Sequence, residues 1–402
     1  YVLYSIFILI PLALVALLPA VSIVGVRIDT FMLVLIYVVI LPLATFLYGE
    51  YILLQRPAAF APPHIPERHP ALENIRTLRR IAICLAIVLG TTLALLGYIL
   101  LYFGNPYGIV SESIMGGLVP PTFPAVWGIT AAISVYCTIA YMPYKRIRDG
   151  IKQIEIEFAD ALFVLGRRVS EGRSAEWAFM TTAETMRGSM ISEVFAAIVG
   201  NLISLRATMQ SAIFDEEYGA LRDVYSDRVH TTMKLFTESV NRSHEAAGVA
   251  IVKLAEHLKE LQEVEERIRQ GLYDVTSTMR STALIFAPLI AGVTLALSEV
   301  IQKILQSVSI EASRLPEEVG VVSIMKDVGT GMEQSVPPET FMLVIGIYVI
   351  LMVVILVRFA GGIEYGGDKS QFMYELGQIL PFAIIVFSVT TLASRILFRS
   401  MV

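Results

Sequence analysis

Seven apolar runs dominate this chain, each on the order of the ~20 residues needed to cross a ~30 Å hydrocarbon core. They cover residues 2–24, 31–54, 81–103, 123–142, 281–301, 341–357 and 376–397. One polar block, residues 144–280, separates the first four from the last three. It holds 18 of the 31 Lys and Arg and 21 of the 36 Asp and Glu. Charged residues make up 17% of the whole, against roughly 25% in soluble domains. The expectation is an all-α polytopic membrane protein with about seven transmembrane helices and one polar helical domain. The net charge of −5 is spread out and gives no sign of nucleic-acid binding. Cys84 and Cys137 both lie inside apolar runs and read as packing residues.

The runs pair up along the chain. Residues 1–54 form a transmembrane hairpin with a tight turn at Gly25-Val26-Arg27-Ile28-Asp29, and further polypeptide is expected ahead of Tyr1. Residues 55–80 form a connector with prolines at its front and Arg76, Arg79 and Arg80 at its back. Residues 81–142 form a second hairpin whose loop, 104–122, contains no Lys or Arg. The other end of its second run meets Lys145, Arg146 and Arg148, so the positive-inside rule assigns the polar domain, 143–280, and the connector to the cytoplasm. Residues 281–402 then supply three more spans. The loop 302–339 falls outside, and 358–375 reads as a glycine-rich cytoplasmic connector. Parity places Arg395 and Arg399 outside, against the charge rule.

Small residues recur every fourth position in two spans, as Ala86, Gly90 and Ala94, and as Ala283, Ala287 and Ala291. Such stripes let helix backbones approach closely, within one bundle or across a homodimer seam.

The polar block reads as helices throughout. Ile151, Ile154, Phe158, Leu162 and Leu165 repeat at spacings of three and four, Gly172 marks a stop, and Ser174 is placed to cap the next helix. Gly188-Ser189 repeats that punctuation before a helix over 191–209, and another spans 221–245. The last helix keeps its period through Leu254, Leu258, Leu261, Val264, Ile268 and Leu272. Glu263 with Arg267 and Glu265 with Arg269 are spaced as i,i+4 ion pairs. No proline follows until Pro288, so this helix is expected to continue into the fifth span.

Catalytic patterns are missing. The five histidines show no metal-ligand spacing, and no cofactor motif appears. The run from Gly361 to Ser370 has glycines and a lysine, but Asp368 separates glycine from Lys369, which breaks the phosphate-loop pattern. Within the spans, Glu299 is the main ionisable candidate, which argues against a proton-coupled carrier. The reading is of a chain that is not an enzyme.

Two stretches carry a family resemblance. Glu157-Phe158-Ala159-Asp160-Ala161-Leu162-Phe163-Val164-Leu165, Gly172-Arg173-Ser174 and Trp177-Ala178-Phe179 resemble the helical domain of type II secretion F proteins. Leu254-Ala255-Glu256, Glu265-Glu266-Arg267, Met279-Arg280-Ser281 and Phe286-Ala287-Pro288-Leu289-Ile290-Ala291-Gly292 resemble its archaeal branch. Those are the platform proteins of archaella and archaeal type IV pili, related to the Tad pilus platforms. The resemblance covers roughly residues 151–301. It implies a non-enzymatic inner-membrane platform, a homodimer, between a hexameric cytoplasmic assembly ATPase and pilin or archaellin subunits. The positions that carry it most directly are Phe158, Leu162, Leu165, Gly172, Pro288 and Gly292. The ATPase would meet basic groups among Lys145, Arg146, Arg148, Arg167, Arg168 and Arg173, because guanidinium groups pair well with carboxylates. Two other classes fit the composition: a permease served by a separate ATPase, which Ser243 to Gly248 faintly suggests, and a membrane-anchored signalling scaffold.

Overall fold

The computed structural model of the 402-residue chain describes residues 30–55, 74–103, 122–240, 243–312 and 338–399. Among the described residues the secondary structure is helical, with no strand. Six of these helices are long and apolar enough to cross a membrane, so this is a membrane-embedded helical protein. The expected span over 2–24 lies outside the described residues.

We number the helices in chain order. α1 covers Thr30–Leu54 and α2 Ile75–Phe103. α3 is a single 48-residue helix, Phe123–Ser170. Short helices follow: α4 Ala175–Thr185, α5 Met190–Ser204, α6 Met209–Phe214 and α7 Asp227–Val240. α8 is His244–Ser281, α9 Ala287–Ala312, α10 Pro338–Tyr365 and α11 Lys369–Arg399. The chain divides into two compact units: a polar one that includes residues 142–274, and an apolar one that includes residues 78–141 and 275–402 together with α1, so α3 and α8 each contribute one end to both.

The apolar unit is assembled around α9, α10 and α11. Its core joins Ala283, Ala287, Ala291 and Leu295 to Ile345, Val353, Leu380, Ala383 and Phe387. With hydrocarbon on the outside, burying apolar surface gives little drive for helix association, so close backbone contact and interhelical hydrogen bonds matter more. Gly292 illustrates the contact: a Cβ there would stand 3.0 Å from the Phe387 carbonyl oxygen and 3.0 Å from the Thr391 nitrogen. Trp127 Nε1 donates to Ser388 Oγ at 2.8 Å across the same bundle. Two π-helical turns, Leu35–Ile40 and Thr282–Phe286, each end two residues before a proline, Pro42 and Pro288. A proline ring clashes with the carbonyl four residues back, and a widened turn is one way to absorb that clash.

Both small-residue stripes are used inside the chain. Ala283, Ala287 and Ala291 are buried in the apolar core. Gly90 faces Gly128 of α3, where a Cβ would come within 2.7 Å of the Gly90 oxygen and 3.2 Å of the Ala94 nitrogen. Ala86 is buried and Ala94 half-buried.

The polar unit is a compact helical bundle. Phe158, Leu162 and Leu165 on α3 are buried together with Phe179 on α4, Phe195 on α5 and Phe236 on α7. Phe179 meets the other two rings edge-on, at 5.2 Å to Phe195 and 5.4 Å to Phe236. The punctuation falls where expected. Gly172 takes φ +77°, a left-handed turn that glycine adopts without steric cost. Ser174 then accepts from the Trp177 N–H at 3.4 Å and Ser189 from that of Ser192 at 3.2 Å, each capping a helix. α3 and α8 pack antiparallel here. Gln262 Nε2 donates to the Glu155 carbonyl at 2.9 Å, Lys259 pairs with Asp160 at 3.0 Å, and Gly248 lies against the Ser170 backbone.

Four local expectations need correction. The helix over 191–209 ends at Ser204, Arg206 turns at φ 52°, and α6 begins at Met209. Asn201 sets this break by donating to the carbonyls of Ala212 and Tyr218, which folds the chain back. The helix over 221–245 is instead α7, Asp227–Val240, followed by the start of α8 at His244. Residues 358–375 are mostly helix, because α10 runs to Tyr365 and α11 starts at Lys369. Gly362 there packs against the Leu53 side chain. Finally, Glu265 pairs with Arg228 of α7, while Arg269 meets Glu266 at 3.9 Å; the expected pair Glu263–Arg267 forms at 3.9 Å.

Candidate functional site

α3 carries all but one of the predicted partner-contact residues, and its length decides which can act together. Arg167 and Arg168 lie in its last turn, where cations suit the carbonyl end of the helix dipole. The Gly172 turn then brings Arg173 and α4 back beside them. Both guanidinium groups approach the half-buried Trp177 ring, Arg168 at 5.8 Å and Arg173 at 4.9 Å from its centroid, within cation–π range. Glu171 sits 3.3 Å from Arg168 and 3.9 Å from Arg167, so one carboxylate serves two guanidiniums. Arg167 is 72% exposed. The tip therefore presents three arginines, one acid and an indole edge. A carboxylate-bearing surface would find both charge and a planar apolar contact there.

Lys145, Arg146 and Arg148 belong elsewhere. Arg146 precedes Arg168 by 22 positions on one unbroken helix, about 33 Å along its axis. The six basic candidates thus form two groups, of which the distal one is the tip just described.

A second cluster lies in the apolar unit, where α8 gives way to the π turn Thr282–Phe286. Arg280 pairs with Glu364 near the end of α10 at 2.9 Å and with Glu375 of α11 at 2.9 Å. Tyr365 Oη accepts from the same guanidinium at 3.4 Å, and Gln371 Nε2 donates to Glu375 at 2.8 Å. The side chains of Glu364 and Glu375 are only 13% and 12% exposed. This joint fastens the end of the long helix to the last hairpin. Its acids are hidden in the sequence because 358–375 resembles a loop and their partner lies over 80 residues away.

Two further ion pairs bridge the apolar helices. Arg358 meets Glu50 at 3.3 Å. Arg395 meets Glu299 at 2.7 Å with both side chains largely buried, which neutralises the arginine that conflicted with the charge rule. Pro288 and Gly292 both lie in the first turns of α9. Among the described residues no group of three His, Cys, Asp or Glu is placed to hold a metal ion. His230 packs with Nε2 2.8 Å from the Val224 carbonyl oxygen, an ordinary structural contact. Comparison with protein-family models, curated proteins and solved structures finds no match to this chain.

Proposed function

We propose that this chain is a non-enzymatic platform of the cytoplasmic membrane for assembly of a type IV pilus-like filament. It would couple a hexameric assembly ATPase on the cytoplasmic side to pilin or archaellin subunits handled among its spans. The observation that carries this reading is the continuity of α8 with α9: helical backbone runs from His244 to Ala312 through a single π turn. A helix of that length transmits displacement along its axis. Arg280, held by Glu364 and Glu375, is where such displacement would reach the last hairpin. The sequence resemblance over 151–301 supplies the identity of the partners, and the Arg167, Arg168, Arg173 and Trp177 tip supplies the ATPase-facing surface.

The permease reading loses its main support, since Gly248 has a packing reason: a Cβ there would lie 2.2 Å from the Ser170 nitrogen. A reducible cross-link tests the coupling. With Cys84 and Cys137 replaced, Asp160→Cys and Lys259→Cys are bridged by a disulfide-containing bis-thiol reagent, whose spacer covers the gap that the native Lys and Asp side chains fill between α3 and α8. Closing the link is expected to stop filament growth while the ATPase still co-purifies, and reduction to restore it. Filaments growing normally with the cross-link closed refute the coupling. Charge reversal at Arg167, Arg168 and Arg173 together should abolish ATPase co-purification; undiminished association removes the tip from the interface.

A further inference from the structure

The polar unit keeps an opening between α3 and α8. Ala159 on α3 and Ala255 on α8 are 2% and 1% exposed, and two such short side chains where helices meet leave volume unfilled. The result is a cavity of about 120 Å³, lined also by Asp160, Phe163, Glu256 and Lys259. Its floor is apolar and its rim charged. Phe163 forms one wall: Phe158, Leu162 and Leu165 of the same run are at most 1% exposed, whereas Phe163 is 40% exposed. The rim has a satisfied and an unsatisfied half. Lys259 pairs with Asp160 at 3.0 Å. The Glu256 carboxylate has no hydrogen-bond or ion-pair partner among the described residues. Two acids against one ammonium leave the rim one charge negative.

This combination selects its guest. The cavity is well below the roughly 300–1,000 Å³ of sites that enclose a small molecule, so it takes one side chain. That side chain must be cationic for Glu256 and must tolerate an aromatic wall. A guanidinium does both: its plane stacks on a ring and its paired N–H groups meet a carboxylate, whereas an ammonium holds its water more tightly. The contact surface also extends past the cavity. Ile156 lies seven residues before Phe163, about 10 Å along the same face of α3, and is 46% exposed. A second apolar pad at that distance suits a protein surface over a free small molecule.

We propose that the cavity between Phe163 and Glu256 is a docking site for an arginine side chain presented by a partner protein, with Ile156 meeting an apolar neighbour of that arginine. It uses none of the tip arginines and is independent of the platform reading.

The full chain in non-ionic detergent, titrated with a fluorescently tagged helical peptide carrying one arginine and one leucine seven positions apart, tests this. Saturable binding is expected, and the same peptide with lysine for arginine should bind about fivefold more weakly. Glu256→Gln should weaken the arginine peptide about fivefold, the factor that matches loss of an exposed ion pair. Phe163→Leu, which keeps bulk but removes the ring, should do the same, and Phe163→Tyr should retain binding. Both positions are exposed, so these substitutions leave the core untouched. Glu184→Gln, the same charge change elsewhere on the polar unit, should leave binding unaltered. Absence of saturable binding, or equal binding by wild type, Glu256→Gln and Phe163→Leu, overturns the proposal. So does equal binding of the lysine peptide, which marks general charge attraction. Displacement by arginine amide at the peptide's own dissociation constant overturns it in favour of a small-molecule site.

Discussion

The two units hold together by opposite means. In the polar unit, water drives Phe158, Leu162, Phe179, Phe195 and Phe236 into one core, and serine caps fix where helices begin. In the apolar unit the surroundings are as apolar as the interior. Association there depends on small residues that admit close backbones, on the Trp127–Ser388 hydrogen bond, and on three ion-paired groups. The difference teaches where a mutation hurts: loss of volume matters most in the first unit, loss of a polar partner or gain of volume in the second. The two tryptophans fall one to each unit, so Trp127→Phe and Trp177→Phe backgrounds report on them separately.

The largest expected effect is Phe179→Ala. Its ring touches two others edge-on and is fully buried, so truncation should cost about 3–5 kcal/mol. Denaturant unfolding in detergent, followed through Trp177, should show the loss, while Trp127 reports an unchanged transition. Equal shifts in both would mean that the two cores unfold as one and would break the contrast.

Arg280→Ala comes next and acts through the other mechanism. It removes the cation shared by Glu364 and Glu375 and leaves two mostly buried carboxylates facing each other. Breaking a fully buried pair costs about 3–5 kcal/mol, and partial exposure here reduces that to about 2. Trp127 should report it, and Glu375→Gln in the same background should restore part of the loss. If the second change adds to the damage, the carboxylates do not repel and the joint is held otherwise.

Gly292→Val should cost the apolar unit about 1–3 kcal/mol through overpacking against Phe387 and Thr391, with Trp177 unmoved. Its neighbour Ala291, in the stripe Ala283, Ala287 and Ala291, also shows what was legible beforehand. Small residues at four-residue spacing announced close packing, and the amphipathic stripe from Ile151 to Leu165 announced a buried face, because both patterns are local to one helix. The stop at Ser204 was not legible: Leu205, Arg206 and Ala207 carry no breaker, and the turn depends on Asn201 reaching Ala212 and Tyr218. Gly362 misled in the other direction, since a glycine accommodating Leu53 looks in sequence like one ending a helix. Of the basic candidates, their charge was readable, but their separation into a distal tip and a proximal group required knowing that α3 is unbroken past Pro143. Trp177 joined the tip only through the left-handed turn at Gly172.

Ser174→Ala removes one cap and should cost about 1 kcal/mol, again seen by the polar-unit reporter. Ser388→Ala, at the Trp127 hydrogen bond, should shift only the apolar-unit reporter and by a similar amount. A Trp177 response to Ser388→Ala would show that the units are coupled more tightly than their separate cores require.

The smallest expected effects separate two glutamates that look equivalent in sequence. Glu263 and Glu265 each stand four residues before an arginine on α8. Glu263 does pair that way, at 3.9 Å with both side chains more than half exposed. Glu263→Gln should therefore change stability by at most about 0.5 kcal/mol, and the change should vanish in high salt. Glu265 instead hydrogen-bonds Arg228, joining α8 to α7 across the bundle with both side chains less exposed. Glu265→Gln should cost up to about 1 kcal/mol and keep part of that cost in salt, because the bond spans two helices and is less open to screening ions. The two effects becoming equal in high salt would mean that Glu265 contributes only surface charge. A persistent difference would locate it among the contacts that hold the polar unit together.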